Sequence, residues 1–268
     1  MLFNNLNSFF KSITTSFVIS LLVLVILASI YHILWKNNRT EALLKSEVHQ
    51  SFDEVKIFNS KNNELNNLII KEITDLNKEL SNIFGKIDTN VGLNIVIFEQ
   101  LEELQMYGEL EDIGAFFDNN ANLIALVSPD SLYREADEWF FRKDLRHEYT
   151  HYFLAKYLME NKIKDVPKWF DEGVAEYVAV TMDGVEATDP LNEVINFELL
   201  KSREDWARQR RNHKELYPQS HYGIRYIIEK KDLDILKKII DDSYDLGFSK
   251  SFKRHTNIEI NELHKFIN

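Results

Sequence analysis

The chain has 268 residues, with 43 Asp and Glu against 32 Lys and Arg, which gives a formal net charge of −11. Hydrophobic residues make up 44% and aromatic residues 12%, with only 8 glycines and 4 prolines, a composition that excludes a disordered or collagen-like chain. The acidic balance argues against nucleic acid as a partner, because nucleic-acid binding requires a cationic surface. The absence of cysteine excludes a disulfide framework, an iron–sulfur centre and a cysteine-ligated zinc site.

Residues 17–35 form an apolar run, FVISLLVLVILASIYHILW, without one Asp, Glu, Lys or Arg. As a helix this run is about 28 Å long, close to the hydrocarbon thickness of a bilayer. Tyr31 and Trp35 occupy the positions of an interfacial aromatic belt. One alternative is a buried helix of a soluble protein, which the length of the run disfavours. The other is a cleaved signal peptide, but no small-x-small cleavage site follows the run. The sequence therefore predicts an N-terminal segment, 1–36, that carries a single-pass membrane anchor over 17–35.

The charges that flank this run predict its orientation only weakly. Lys11 precedes it, whereas Lys36, Arg39 and Lys45 follow it. The positive-inside rule leans toward a cytoplasmic C-terminal region, but the margin is small. Charge alone leaves the orientation open.

The region that follows the apolar run has apolar residues at mixed helical spacing as far as Ile83, with polar residues between them and no proline. This pattern predicts one or two amphipathic helices that end at Gly85. We expect residues 37–85 to be an amphipathic helical stalk that merges into the start of a domain. The domain itself is predicted over residues 86–268.

Two short apolar runs predict strands at the start of this domain. Leu93–Phe98 (LNIVIF) follows Gly92, and Leu123–Val127 (LIALV) lies between an asparagine pair and a Pro-Asp turn signal. The pattern becomes helical over residues 132–161, and helices dominate from Pro167 onward. The elements predict a helix-rich α+β fold.

The sequence His-Glu-Tyr-Thr-His, residues 147–151, lies inside the predicted helix 132–161. Residues four apart share one face of a helix, so the imidazoles of His147 and His151 can reach one ion. Glu148 can then accept a proton from a water molecule beside that ion without ligating it. The alternative is a charged helix face with two solvated histidines.

A catalytic zinc ion needs a third protein ligand. The metzincin continuation would require glycine at 154 and histidine at 157, where this chain has Leu154 and Tyr157, so that class is excluded. The segment PKWFDEGVAEY begins at Pro167, which suits the start of a second helix that returns along the first. This return brings Glu172 within reach of the same ion.

Two further residues of this segment suit such a site. Gly173 has no side chain, which permits close packing against the histidine helix. Glu176 lies one turn after Glu172, where it can accept a hydrogen bond from a ligand imidazole and set its tautomer. The alternative for both glutamates is a pair of exposed helix carboxylates.

HEYTH followed by PKWFDEGVAEY resembles the gluzincin metallopeptidases, in particular the bacterial peptidase-MA-like group with the pattern H-E-x-x-H … W-x-x-E-G-x-A-E-Y. The resemblance implies one zinc ion per chain, held by His147, His151 and Glu172. It further implies Glu148 as the catalytic base and Glu176 as a carboxylate behind the ligands.

The resemblance extends in outline over residues 60–265. It implies a small mixed β-sheet packed with the zinc-binding helix pair, followed by a helical C-terminal half. Tyr217, His221 and Tyr222 are candidates for the donor that stabilises the oxyanion of a peptide substrate, and ordinary packing is the equal alternative for each.

These observations predict a membrane-anchored zinc metallopeptidase that hydrolyses peptide bonds in peptide or protein substrates. The alternative is a catalytically silent, membrane-anchored interaction or regulatory module that retains the fold, and a zinc hydrolase of a non-peptide amide is a third reading. The resemblance favours a catalytic domain on the extracytoplasmic side of the cell membrane. The oligomeric state stays open.

Negative charge is concentrated in the stretch just before the His-Glu-Tyr-Thr-His motif. Residues 99–138 contain eleven Asp and Glu and a single basic residue, Arg134. In gluzincins the strand before the histidine helix lines the cleft and pairs with extended substrate. Some of these acids are therefore expected to rim the substrate path and to favour basic peptides.

Overall fold

The computed structural model describes residues 2–45, 48–88, 92–108, 113–164, 166–184 and 190–267, with residues 2–16, 36 and 37 described at the level of the backbone. The chain divides into two compact units, Met1–Glu47 and Val48–Asn268. The structure is a helix-rich α+β protein with one small mixed sheet and one candidate membrane helix among these residues.

The first unit is a single long helix, α1 (Leu2–Leu44). No glycine or proline precedes Gly85 in the chain, so nothing in the sequence interrupts this helix. Its portion Phe17–Leu44 is long and apolar enough to cross a membrane, which agrees with the predicted run at 17–35. A signal sequence satisfies the same criteria of length and composition.

The second unit contains a five-stranded sheet in the order β1-β2-β3-β5-β4. The central strands β2, β3 and β5 are parallel, whereas β1 and β4 pair antiparallel at the two edges. The predicted strands Leu93–Phe98 (β3) and Leu123–Val127 (β5) are confirmed. The other strands are β1 (Val48–Phe52), β2 (Val55–Phe58) and β4 (Ala115–Asp118).

The prediction of an amphipathic helical stalk over residues 37–85 is wrong for residues 48–58. This stretch is the β1–β2 hairpin, and Asp53 in its turn has a φ of 46°, a left-handed conformation that aspartate tolerates better than most residues. The hairpin forms because β2 pairs with β3, which buries Ile57 and Phe58. That contact is distant in sequence, so local periodicity did not indicate it.

The second helix of that region is confirmed, including its end. α2 (Asn63–Phe84) begins after Asn62, whose side-chain oxygen accepts hydrogen bonds from the backbone N–H groups of Glu64 and Leu65. It ends at Gly85, which has a φ of 93°. Its apolar face packs against α4 (Glu135–Glu160), the helix that carries the histidine motif. The residues of that face recur at spacings of three and four: Leu65, Ile69, Ile73, Leu76, Leu80.

The rest of the described chain is mainly helical, as predicted. The helix predicted over 132–161 is α4 (Glu135–Glu160), and the helix predicted from Pro167 is α5 (Lys168–Thr181), which packs against both α4 and α7. The remaining helices are α3 (Leu101–Gly108), α6 (Arg203–Arg210), α7 (Leu216–Lys231), α8 (Ile235–Leu246) and α9 (Phe248–Thr256), with 3₁₀ turns at Phe197–Leu200 and Ile260–Phe266.

Candidate metal centre

Helices α4 and α5 bring three predicted ligands to one point. The Nε2 atom of His147 lies 3.1 Å from Oε2 of Glu172 and 3.1 Å from Nε2 of His151. The third edge, between His151 Nε2 and Glu172 Oε2, is 3.4 Å. Tetrahedral zinc with bonds of about 2.0–2.1 Å to nitrogen and oxygen separates its ligand atoms by about 3.3 Å. The three atoms therefore fit one face of a tetrahedral zinc site.

The outer nitrogen of each imidazole faces a carboxylate. His147 Nδ1 lies 3.2 Å from Oε2 of Glu176, and His151 Nδ1 lies 2.9 Å from Oδ1 of Asp171. Each carboxylate can accept the Nδ1–H and so leave Nε2 free to bind a metal ion. Glu176 is where the sequence argument expected it. Asp171 was missed, although its position immediately before Glu172 places it at the same end of α5.

Burial and neighbouring charges shift the pKa values of all three predicted ligands. Burial lowers the pKa of His147, but hydrogen bonds to Glu172 and Glu176 outweigh it and raise this pKa to about 10. Burial also lowers the pKa of His151, but the charges of Asp171 and Glu172 outweigh this effect and raise the pKa to about 9. The pKa of Glu172 lies well below its usual range because Lys168 and the histidines outweigh its burial. The carboxylates thus favour positive charge at the two imidazoles.

Glu148 lies beside the ligand cluster on α4. Only 8% of its surface is exposed. Burial raises the pKa of its carboxyl group, and the charges of His147 and His151 offset part of that rise. A raised carboxyl pKa brings the group closer to the range in which it can both accept and return a proton near neutral pH.

Gly173 faces a different neighbour from the one expected. A Cβ at this position would lie 2.6 Å from the backbone oxygen of Ser220 and 2.7 Å from Cγ1 of Ile224, both on α7. The prediction that Gly173 allows close approach to the histidine helix α4 is therefore wrong. Because Glu172 points to α4, the next residue lies about 100° further around α5 and meets α7 instead.

The three candidate oxyanion donors all lie on α7 but in different surroundings. The Tyr217 ring contacts the His147 ring edge-to-face at a centroid distance of 5.9 Å, and burial raises the pKa of its hydroxyl. His221 packs against Tyr177 and Tyr222 at 5.8 and 5.5 Å, and burial lowers its pKa. The Tyr222 ring lies under the guanidinium of Arg225 at 4.7 Å. Tyr217 is therefore the candidate in contact with a ligand imidazole.

A buried ion-pair network holds α4 in place immediately before His147. The Arg146 side chain is 4% exposed, and its guanidinium lies 2.6 Å from Glu72 of α2 and 2.7 Å from Asp183, which follows α5. Arg142 contacts the same Asp183 at 2.5 Å. The sequence argument missed this network because its members are far apart in the chain.

The edge strand β4 runs beside α4. β4 pairs with β5 on one side, and among the described residues no further strand pairs with its other side. Gly114, which precedes β4, would place a Cβ 3.5 Å from Oδ2 of Asp144, one helical turn before Glu148. The free edge of the sheet therefore begins close to the candidate centre.

Two comparisons identify known proteins to which this chain is similar. The family model described as collagenase, peptidase family M9, matches residues 35–251. The chain is also similar to the uncharacterized protein YhcO of Bacillus subtilis (strain 168), with 25% identity over 234 residues that cover 84% of this chain and 72% of that protein. The family match spans the sheet and both helices of the candidate centre. The chain therefore belongs to the collagenase family, a family of zinc metallopeptidases.

Proposed function

We propose that this protein is a membrane-anchored zinc peptidase of gluzincin type, with His147, His151 and Glu172 as the ligands of one zinc ion. The observation that carries the proposal is the convergence of the three ligand atoms at 3.1–3.4 Å. Family membership supports the metal and the reaction class. The carboxylate behind each imidazole supports a site built to hold an ion rather than a solvated helix face.

In this mechanism the protein supplies proton transfer and orientation. Zinc, when bound, supplies a Lewis acid that polarises the peptide carbonyl and lowers the pKa of a water molecule. Glu148 accepts a proton from the attacking water and returns it to the leaving amine. Glu176 and Asp171 hold the two imidazoles in the tautomer that presents Nε2. Tyr217 is the proposed donor to the negative charge that develops on the substrate carbonyl oxygen.

The substrate path is proposed to follow the free edge of β4. An extended peptide can add to such an edge through backbone hydrogen bonds, which would lay it along α4. Of the eleven acidic residues that suggested basic substrates, Glu102 and Glu103 are exposed on α3, whereas Glu109, Glu111 and Asp112 lie outside the described residues. A preference for basic peptides that weakens with salt stays part of the proposal.

The apolar part of α1 is proposed as a single-pass anchor, with residues 37–85 leading into a peptidase domain on the extracytoplasmic side. A reporter that is active on only one side of the membrane, fused after Asn268, tests this orientation. Activity restricted to the extracytoplasmic side is expected. Activity on the cytoplasmic side would reverse the assignment.

The catalytic proposal is tested with the full chain purified in detergent. We expect one zinc ion per chain in both the wild type and Glu148→Gln, and cleavage of a mixed peptide library that falls by about 10²–10⁴-fold in the variant. Glu160→Gln is the matched control, because Glu160 is an exposed glutamate at the end of the same helix and lies outside the acidic stretch 99–138. It should cleave like the wild type.

The outcomes separate the competing readings. Stoichiometric zinc with no cleavage by the wild type would favour the catalytically silent interaction module. Absence of bound zinc in the wild type would contradict the ligand assignment itself.

A further inference from the structure

A partly buried lysine contacts the candidate centre from the first turn of α5. The side chain of Lys168 is only 20% exposed, and its Nζ lies 2.6 Å from Oε1 of Glu172 and 2.8 Å from Oδ2 of Asp171. Residues three and four apart lie on one face of a helix, so all three groups point toward α4. The backbone N–H of Lys168 donates to the carbonyl of Lys201 at 2.8 Å, which anchors the start of the helix.

Each of the two carboxylates divides its oxygens between Lys168 and the ligand cluster. Oε2 of Glu172 faces the histidine Nε2 atoms, whereas Oε1 is held by Lys168. Oδ1 of Asp171 faces Nδ1 of His151, whereas Oδ2 is held by Lys168. One ammonium group therefore restrains a ligand directly and a second ligand through its carboxylate partner.

This restraint has a direct consequence for metal binding. A carboxylate can ligate a cation with one oxygen or with both, and a catalytic zinc needs an open position for water. With Oε1 of Glu172 engaged by Lys168, only Oε2 is free to bind. Without the lysine, Glu172 would be able to turn both oxygens to the metal or to rotate away from it.

Resting on the ligand set proposed above, we infer that Lys168 is a positioning residue that keeps Glu172 a one-oxygen ligand and, through Asp171, orients His151. Lys143 on α4 offers a comparison. Its Nζ lies 2.8 Å from Oε1 of Glu176, which is a partner of His147 and not a proposed ligand. Lys143 therefore has no ligand oxygen to restrain.

Lys168→Met in the full chain, in detergent, tests the inference with two measurements besides activity. The dissociation constant for Zn²⁺ is measured by competition with a chelator, and coordination is measured by the visible absorption of the Co²⁺-loaded protein, which weakens as the coordination number rises. We expect zinc affinity to fall by about 10–100-fold, as for other groups that orient metal ligands. We also expect the Co²⁺ absorption to weaken, because Glu172 becomes free to bind through both oxygens.

The direction of the affinity change distinguishes positioning from charge alone. Removal of a positive charge beside a cation relieves Coulomb repulsion and should by itself tighten zinc binding. Weaker binding therefore requires loss of ligand geometry. Affinity within twofold of the wild type, tighter binding, or an unchanged Co²⁺ absorption would overturn the inference. A wild type that binds no zinc would instead contradict the ligand set, and with it the proposed function.

Two variants act as controls. Lys156 is a lysine on α4 that is 5% exposed and donates to Oδ1 of Asn122 at 2.7 Å, away from the ligand cluster, so Lys156→Met should leave zinc affinity unchanged. Lys143→Met should leave the Co²⁺ absorption unchanged. If Lys168→Met does not fold, as judged by circular dichroism, Lys168→Gln replaces it with the same expected and contradicting results.

Discussion

The close approach of α5 to α7 at Gly173 leads to the most quantitative prediction. An alanine Cβ at this position would lie 2.6 Å from the Ser220 carbonyl oxygen, whereas ordinary contacts begin at 3.4 Å. The helices would have to separate by about 0.8 Å, because a carbonyl oxygen inside a helix cannot move independently of its backbone. Such overpacking costs about 1–3 kcal/mol.

That cost predicts a measurable loss of stability in Gly173→Ala. For a unit of this size about 1 kcal/mol corresponds to about 2–4 °C in the melting temperature, so we expect a decrease of about 2–12 °C. The assay is thermal unfolding of the full chain in detergent with a chelator present, followed by tryptophan fluorescence, since Trp169 and Trp206 are both buried near this interface.

Zinc binding should weaken in the same variant. Glu172 precedes Gly173, so a displacement of α5 by a fraction of an ångström exceeds the roughly 0.2 Å within which metal–ligand distances are kept. The matched control is Gly114→Ala, whose Cβ would meet Asp144 at 3.5 Å, an ordinary contact. A melting temperature of Gly173→Ala within 1 °C of the wild type, or no lower than that of the control, would refute the reasoning.

Four further predictions concern the helices around the centre. Arg146→Met should lower the free energy of unfolding by about 3–5 kcal/mol in chemical denaturation, because it leaves the buried carboxylate of Glu72 without its closest cation; a loss below about 1 kcal/mol would contradict this. Burial alone would raise the pKa of Asp183, but hydrogen bonds from Arg146 and a neighbouring arginine lower it below its usual value. The stability that this group contributes is therefore present above about pH 4 and is lost as the pH falls through the lowered pKa. Asp183→Asn should be less stable than the wild type at pH 6, and this difference should shrink as the pH falls below about 4. Tyr217→Phe should lower kcat by about 10²–10³-fold with little change in zinc content, and unchanged kcat would remove Tyr217 as the oxyanion donor. Glu176→Gln should weaken zinc binding about 10–100-fold in chelator competition, because His147 loses the acceptor of its Nδ1–H; equal affinity would show that this contact does not orient the ligand.

Much of the candidate centre was predictable because its signals are local. The i and i+4 histidines need only the regular spacing of one helix, and Glu172 needs one further helix that begins at a proline. The structure brings these side chains together as that spacing implied. The strands Leu93–Phe98 and Leu123–Val127 were predictable for the same reason, since each is a short, uninterrupted apolar run between turn residues.

The errors arose where a contact distant in sequence decided the outcome. The β1–β2 hairpin was predicted as helix because Val48, Phe52, Val55 and Phe58 recur at the helical spacings of three and four. The pairing with β3, which is distant in sequence, makes this stretch a hairpin instead. Arg146 was not singled out because its partners lie 74 and 37 positions away. Gly173 was assigned to the wrong neighbour although its need for a small side chain was recognised.

The sequence by itself determined which side chains share a helix face, where the apolar segment of α1 lies, and that histidine and glutamate, not cysteine, stand at the spacing of a zinc motif. Only the tertiary structure decided which helix each face meets, which carboxylates lie behind the imidazoles, and that Lys168 holds the second oxygen of Glu172. The reason is that helical periodicity sets the angle between residues on one helix. The rotation of that helix against its neighbours is set by packing across the whole compact unit.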